Sequence, residues 1–266
     1  MNLGNIFNNF INNIAYLERI FETMDEPVTV KDAKDAVEMP KIRGEVTFDH
    51  VNFSYDASKQ ILNDVSFTVK PGESVALVGP TGAGKSTIVN LISRFYNVNG
   101  GRVLIDGQDI SQVTIHSLRE QMGIMMQDSF IFSGDIEDNI RYGKLDATHE
   151  EIVKASRTVC ADEFISKMPD RYQTEVRERG SMLSQGQKQL ISFARTLLSD
   201  PAILILDEAT SSIDVQTEKA LQTGLNAMLK AEPHLSLRIV CLRSATAIRL
   251  CISITAVLWR AEHMMS

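Results

Sequence analysis

Cysteine and tryptophan are scarce in this chain of 266 residues, which contains three cysteines and one tryptophan. The cysteines are Cys160, Cys241 and Cys251, and they form neither a CxxC pair nor the spacing of a metal site. The sequence therefore argues against a disulfide-stabilised scaffold and against a structural zinc site. Three dispersed thiols fit a reducing compartment.

Positive charge is also in short supply, with 27 Lys and Arg against 34 Asp and Glu and a net charge of −7. A nucleic-acid-binding surface normally needs a basic stripe, so we expect no nucleic-acid partner. Nucleotide binding stays open, because a phosphate site is built mainly from backbone N–H groups.

Long apolar runs and a signal sequence are lacking as well. No stretch reaches the ~18–20 apolar residues that a membrane span needs. Hydrophobic residues nevertheless make up 44% of the chain, a share typical of a globular α/β protein with a sizeable core.

The apolar pattern changes along the chain and predicts its organisation. Residues 3–24 have helical spacing and predict one amphipathic helix, and polar residues 26–44 predict a linker. Apolar residues then alternate from 45 to 69, which predicts antiparallel strands. The runs 74–79 and 202–206 predict buried parallel strands. The segments 86–95 and 215–229 each predict a helix, and residues 129–196 are mainly helical in pattern.

The strongest local motif follows the run 74–79. It fits G-x-x-x-x-G-K-[ST] between a predicted strand and a predicted helix, which is the context that a phosphate-binding loop requires. Lys85 would reach the β- and γ-phosphates and Ser86 would ligate Mg²⁺. A glycine-rich turn with a chance lysine is the alternative. The predicted phosphate-binding residues are Gly79, Pro80, Thr81, Gly82, Ala83, Gly84, Lys85, Ser86 and Thr87.

An acidic pair, Asp207 and Glu208, follows the second apolar run. In an α/β sheet this strand end lies beside the phosphate loop. Asp207 could then hold the Mg²⁺ shell, and Glu208 could polarise the attacking water. A solvated strand end is the alternative when the pair is considered alone.

A third motif, Leu183-Ser-Gln-Gly-Gln187, resembles the LSGGQ signature of ATP-binding cassette (ABC) ATPases. The serine hydroxyl and glycine N–H precede a predicted helix and could bind a phosphate there. A plain N-cap at Ser184, completed by Gln187 as a capping box, is also compatible with these residues. Kinases and GTPases with a phosphate loop lack this segment.

The resemblance to the ABC ATPases covers residues 1–230, with the motifs in order. It implies an α/β fold with a P-loop NTPase core, a small antiparallel β subdomain and a helical signature subdomain at about 129–196. It also implies that Tyr55 stacks on adenine, that Gln127 approaches Mg²⁺ and the water, and that Asp214 belongs to a loop contacting a partner cassette. The nucleotide-binding residues implied in addition to the phosphate loop are Tyr55, Ser184, Gly186, Gln187 and Asp214, and the implied metal ligands are Ser86, Gln127 and Asp207.

The family's mechanism follows from the same resemblance. Two cassettes, identical or different, meet head to tail, and ATP with Mg²⁺ lies between the phosphate loop of one and Ser184 and Gly186 of the other. Closure of this dimer moves attached transmembrane permease domains, so the chain is expected at the cytoplasmic face of a membrane. Residues 175–180 resemble the segment that exporters present to those domains. Arg177 replaces a usual glycine there, and Lys188 replaces a common arginine.

Both ends depart from an isolated cassette. Residues 1–25 resemble the cytoplasmic end of an exporter's last membrane helix, and the alternative is a helix folded back on the cassette. The cassette itself is expected over 45–230. From Lys230 the resemblance stops, and the family's switch histidine is missing, because His234 comes too early and His263 too late.

A change of reading frame at Lys230 accounts for the tail 231–266. Reading the codons with a shifted frame permits GRTSFIIAHRLSTI and a later IVESGTHDE, which match the family. We therefore expect the strand of the core sheet in this tail to be missing or makeshift, and ATP hydrolysis to be very poor. A divergent natural tail is the alternative.

Two other functions compete with ATP-driven export. One is a soluble ABC ATPase acting in translation or DNA repair, which the acidic charge disfavours and which salt-dependent nucleic-acid binding would support. The other is a damaged fragment that binds ATP without turnover. Single-turnover hydrolysis separates this fragment from an export ATPase.

Overall fold

The computed structural model describes residues 3–56, 59–80, 82–125, 130–177, 180–207, 223, 237–242, 249–252 and 257–259. The chain divides into two compact units, residues 1–31 and residues 32–266. The predicted α/β class is confirmed, because the second unit combines open sheets with helices.

The first unit contains helix α1, Leu3–Met24, at the position that the periodicity predicts. Its aromatic side chains Phe7, Phe10 and Phe21 are exposed, as are the aliphatic side chains between them. Among the described residues, no helix combines the length with the apolar character that crossing a membrane demands.

A four-stranded antiparallel sheet opens the second unit. Its strands are Val46–Ser54 (β1), Gln60–Val69 (β2), Gly100–Ile105 (β4) and Gln108–Asp109 (β5), in the order β2-β1-β4-β5. Val46 pairs with Val69 and Phe48 with Phe67, and the rings of that second pair stack with centroids 4.6 Å apart. Alternate residues of β1 are buried, which confirms the period of two.

A six-stranded sheet forms the centre of the second unit. Its strands are Glu73–Val78 (β3), Met122–Met125 (β6), Ile203–Asp207 (β9), Leu237–Leu242 (β10), Arg249–Ile252 (β11) and Val257–Trp259 (β12), in the order β12-β11-β3-β10-β9-β6. Strands β3, β10, β9 and β6 are parallel, so their carboxyl ends meet at one edge. Residues 203–206 of β9 are buried, as its apolar run predicts.

Helix α2, Lys85–Ile92, follows β3 and buries its apolar side chains in the first hydrophobic core, which it shares with β1, β3 and β4. A 3₁₀ turn, Ile110–Gln112, and helix α3, Ile115–Arg119, continue the chain toward β6. The start of α2 follows the end of β3 after the short loop 79–84.

Four helices build a second hydrophobic core. They are Ile136–Arg141 (α4), His149–Thr158 (α5), Asp162–Ile165 (α6) and Gln185–Leu198 (α7). Ile140, Ile152 and Phe193 are fully buried within it. A two-stranded ladder, Gly134–Asp135 (β7) with Glu175–Val176 (β8), joins the start of α4 to the segment before α7, and the sequence pattern does not predict it.

Strand β10 narrows one expectation about the tail. It pairs in parallel with β3 over Leu237–Leu242 and with β9 over Leu237–Cys241, so of the expected missing or makeshift strand the first alternative is excluded. The physical reason is that consecutive apolar residues, two of them β-branched, suit a strand flanked on both sides. The predicted helix 215–229 lies outside the described residues except for Thr223.

Candidate functional site

The phosphate loop leads from the end of β3 to the start of α2. Gly82 and Gly84 have φ angles of 83° and 92°, a backbone conformation that favours glycine. The Ala83 N–H donates to the Pro80 carbonyl oxygen at 3.2 Å and closes the turn. Gly84 is the N-cap of α2 and provides no side chain to cap it, so the helix presents its backbone donors and the positive end of its dipole at the loop.

Lys85 is the first residue of α2 and is only 8% exposed. Its Nζ donates to the carbonyl oxygens of Gly79 at 2.7 Å and Pro80 at 3.0 Å. A buried ammonium group is most stable when an anion balances its charge, and two neutral carbonyls do this only in part. A phosphate at this loop would supply the missing charge.

The first turn of α2 brings a predicted aromatic residue to the loop. The Tyr55 hydroxyl lies 3.1 Å from Oγ1 of Thr87, which is buried, whereas the Tyr55 ring is 48% exposed. Ser86, between Lys85 and Thr87, is exposed on the outer side of the turn. The structure thus gathers Tyr55, Lys85, Ser86 and Thr87 at one helix start. Thr81 lies outside the described residues.

The acidic strand end lies at the same edge of the sheet. Cys241 of β10 pairs with Leu77 of β3 on one side and with Asp207 of β9 on the other. The backbone of Asp207 is therefore level with that of Leu77 in β3. The two lie about 10 Å apart, because two strand spacings of roughly 4.8 Å separate β9 from β3. The backbone register agrees with the predicted approach of Asp207 to the phosphate loop.

The remaining acidic and polar candidates cannot be located in the same way. Glu208, Gln127 and Asp214 lie outside the described residues, although β6 ends two residues before Gln127 at the same sheet edge. Among the described residues, no three His, Cys, Asp or Glu side chains form a metal-binding group. Ser86 offers a hydroxyl oxygen, a hard donor of the kind that Mg²⁺ prefers, and the backbone of Asp207 ends β9 at the same edge of the sheet.

The signature segment forms the start of α7. The Ser184 hydroxyl accepts from the Gln187 N–H at 3.2 Å, and the Gln187 side chain accepts from the Ser184 N–H at 2.9 Å. This is the capping box that the sequence permits. Ser184 is exposed and Gly186 is buried. Ser184 and Gln185 therefore lie at the surface, where a second molecule can approach.

The half-buried Arg195 and the buried Asn139 form a network that no local sequence motif predicts. Arg195 donates to the Asn139 carbonyl at 2.7 Å, to the Asn139 side-chain oxygen at 3.1 Å and to the Phe130 carbonyl at 3.0 Å. Asn139 also exchanges hydrogen bonds with the Phe132 backbone at 2.9 and 3.0 Å. Burial lowers the pKa of the Arg195 guanidinium below its ordinary value.

This network fixes the segment 130–132, which follows Gln127, against α4 and α7. Gly180, with φ 62°, packs between Ile131 and Lys188, because a Cβ there would lie 3.2 Å from the first and 3.3 Å from the second. The segment after Gln127, the end of residues 175–180 and the signature helix are thus in direct contact. An arginine within the buried face of α7 is the one sequence signal that could have indicated this network.

An exposed aromatic cluster lies over Arg195. Phe132 contacts Phe130 and Tyr142, with ring centroids 4.9 and 4.7 Å away, and all three residues are solvent-exposed. The Arg195 guanidinium lies 5.4 Å from the Phe132 centroid and 5.8 Å from that of Tyr142. Such a patch of aromatic rings around a half-buried arginine is typical of a surface that another protein segment covers.

Known proteins resemble this chain strongly. The family model described as ABC transporter matches residues 62–211, which include the phosphate loop, the signature segment and the acidic pair. An uncharacterized ABC transporter ATP-binding protein of Bacillus subtilis, YknV, is 54% identical over 228 residues, covering 86% of this chain and 38% of that protein. A fatty acid ABC transporter ATP-binding/permease protein of Mycobacterium tuberculosis is 44% identical over 226 residues, covering 85% and 36%.

A solved structure of an ABC exporter also resembles this chain. A bacterial Atm1-family ABC exporter with ATP bound superposes with a TM-score of 0.77 at 40% identity, over 90% of this chain and 41% of that one. The chain thus spans less than half the length of these relatives. The family model covers more than half of the chain, and we conclude that the chain belongs to the ABC transporter family as an ATP-binding domain.

Proposed function

We propose that this domain binds and hydrolyses MgATP at a head-to-tail interface with a second cassette, and that this cycle drives export through a transmembrane permease. The observation that carries the proposal is the uncapped start of α2, with the buried Lys85 at its first position and Tyr55 at its side. The backbone donors suit the phosphate oxygens of a nucleotide, and the buried cation suits their negative charge. The half-exposed aromatic ring suits stacking on the base.

Each residue has a defined task in this proposal. The amides of residues 82–87 cradle the phosphates, Lys85 exchanges its carbonyl partners for β- and γ-phosphate oxygens, and the Tyr55 ring stacks on adenine. Ser86, Asp207 and Gln127 hold Mg²⁺, which when bound neutralises charge on the phosphate oxygens. Glu208 orients and deprotonates the attacking water.

The second cassette supplies what one chain lacks. In the capping box, the Ser184 hydroxyl already has an amide donor, but its own proton can be donated to the γ-phosphate of ATP held by a partner. The exposed Ser184 and Gln185 at the start of α7 support such a close approach. Asp214 would contact the partner cassette at the same interface. A single chain therefore contributes two half-sites.

Export is inferred from the relatives and from one surface. The relatives include a fatty acid ABC transporter ATP-binding/permease protein and a bacterial Atm1-family ABC exporter, and both exceed this chain in length. The aromatic cluster of Phe130, Phe132 and Tyr142 supports a membrane-domain partner at the cytoplasmic face, beside residues 175–180. Arg177, where exporters usually have glycine, changes the charge of that contact.

Nucleotide-dependent dimerisation tests this proposal. Glu208→Gln should bind MgATP, lose most turnover and form dimers detected by light scattering, because unhydrolysed ATP holds the interface closed. Ser184→Ala in the same Glu208→Gln chain should remove the dimers while leaving nucleotide binding intact.

Two results would contradict the proposal. One is an unchanged hydrolysis rate in Glu208→Gln. This rate must be measured in a chain whose residues after 230 are replaced by the family's sequence, because the wild-type chain is expected to hydrolyse ATP very slowly. The other is dimerisation that proceeds equally without nucleotide.

A further inference from the structure

The ring of Tyr55 is held in place by three neighbours that the proposed function does not use. Phe53 and Tyr96 each present an edge-to-face contact with centroids 4.9 Å from it, at interplanar angles of 87° and 84°. Asn90, one turn along α2 from Thr87, donates its side-chain N–H to the Tyr55 hydroxyl at 3.4 Å. Two of the three, Asn90 and Tyr96, belong to α2 and the turn that follows it.

The hydrogen bonds around the Tyr55 hydroxyl have a consistent direction. The Asn90 amide nitrogen can only donate, so the Tyr55 oxygen accepts from it. The Tyr55 proton is then available for Oγ1 of Thr87, 3.1 Å away. The ring is thus tied at its far end to the phosphate-binding helix and is contacted by the rings of Phe53 and Tyr96. An exposed tyrosine without such contacts would lose rotamer freedom on binding a base.

We infer that Asn90 and Tyr96 are positioning residues that hold the Tyr55 ring ready for a purine base and set its distance from the triphosphate. This inference rests on the proposed nucleotide-binding function. Both residues act through Tyr55 and neither touches the phosphates. Their effect should therefore appear in the contribution of the base to affinity and not in the contribution of the phosphates.

The test compares two ligands, ATP and tripolyphosphate, each with Mg²⁺, by titration calorimetry on the full chain. Tyr96→Leu should weaken ATP binding about two- to tenfold, the usual worth of an aromatic pair. Asn90→Ala should weaken it about two- to threefold because the hydrogen bond is long. Tripolyphosphate affinity should stay unchanged in both variants.

Matched variants separate positioning from general damage. Tyr96→Phe keeps the ring edge and should bind ATP as the wild type does. Asn90→Ala cannot be dismissed as helix damage, because alanine is the better helix former. Asn97→Ala, at an exposed asparagine beyond α2, should change neither ligand's affinity.

A double-mutant cycle closes the test. Tyr55→Phe removes the acceptor of the Asn90 hydrogen bond together with the contact to Thr87, so Asn90→Ala should have no further effect on ATP affinity in the Tyr55→Phe chain. Unchanged ATP affinity in Asn90→Ala and Tyr96→Leu, equal losses for both ligands, or additive effects in the cycle would overturn the inference. A wild-type chain that binds neither ligand would instead overturn the proposed function.

Discussion

The starts of α2 and α7 differ from the starts of α4 and α5 in the charge of the first turn. Helix α4 is capped by Asp135, whose side chain accepts from the Asp138 N–H, and α5 has a Thr148 capping box with Glu151. Both carry acidic residues in the first turn. Helices α2 and α7 carry none.

Under the proposed function, this difference explains why α2 and α7 would bind phosphate and α4 and α5 would not. The N-terminal amides and the dipole attract negative charge, and α4 and α5 satisfy that attraction with their own carboxylates. Helix α2 has no acidic residue in its first turn, so a bound anion would have to balance the positive end of its dipole. Helix α7 is intermediate, because its neutral serine and glutamine satisfy the amides without repelling a second molecule's phosphate. We therefore expect α2 to bind nucleotide in a single chain and α7 to contribute only across a dimer.

Placing an acidic residue in the first turn of α2 should remove this difference between the helices, and we expect it to have the largest effect on MgATP affinity. Ser86→Asp should leave stability unchanged or raise it, because a carboxylate suits the helix dipole. MgATP affinity should nevertheless fall by about 10²–10³-fold, since like charges at close range cost several kcal/mol. Calorimetry and thermal unfolding measure the two effects. Ser86→Asn, neutral and of similar size to aspartate, is the control and should lose clearly less affinity.

Removing the cation of α2 should have the next largest effect. Lys85→Ala should weaken MgATP binding about ten- to hundredfold, the value of hydrogen bonds to a charged group. Lys70→Ala, at an exposed lysine before β3, should bind normally. Equal affinity in Lys85→Ala and the wild type would remove Lys85 from the site.

Removing the cap of α7 should affect stability alone in a single chain. Ser184→Ala should lower the free energy of unfolding by about 0.5–2 kcal/mol, because the Gln187 N–H loses its acceptor. Ser184→Gly should cost only a few tenths of a kcal/mol. Denaturant titration measures both. A clear loss of MgATP affinity in dilute Ser184→Ala would mean that α7 binds nucleotide within its own chain.

The smallest effect concerns the acidic cap of α5. The hydrogen bond from Lys144, and then the Thr148 backbone N–H, lowers the pKa of Glu151 from its ordinary 4.5 to about 2. The ionised carboxylate therefore contributes stability above about pH 4.5, and this contribution is lost as the pH falls through about 2. Lys144→Ala should raise the Glu151 pKa, which an NMR titration can follow. An unmoved pKa would remove Lys144 as the main cause.

Local motifs allowed much of the site to be predicted. The phosphate loop, Lys85 and the capping box at Ser184 each depend on residues a few positions apart, so their geometry follows from backbone rules. The place of Tyr55 came from the family resemblance, and its contact with Thr87 agrees with it. The roles of Glu208, Gln127 and Asp214 stay predictions.

Contacts between distant segments could not be predicted. Arg195 meets Asn139 and Phe130 only because α4 and α7 pack together, and no local pattern encodes that meeting. The two-residue ladder of β7 and β8 is too short to produce a period. The sequence leaves strand β10 open for a different reason, because its apolar run could form a strand while the family pattern stops at Lys230.

Hydrogen exchange of the backbone amides tests the contrast between α2 and α7 most directly. We predict that MgATP protects the amides of residues 82–87 in dilute wild-type protein, and protects those of residues 184–187 only in concentrated Glu208→Gln protein that has dimerised. Protection of residues 184–187 in the dilute chain, or none at residues 82–87, would contradict the account.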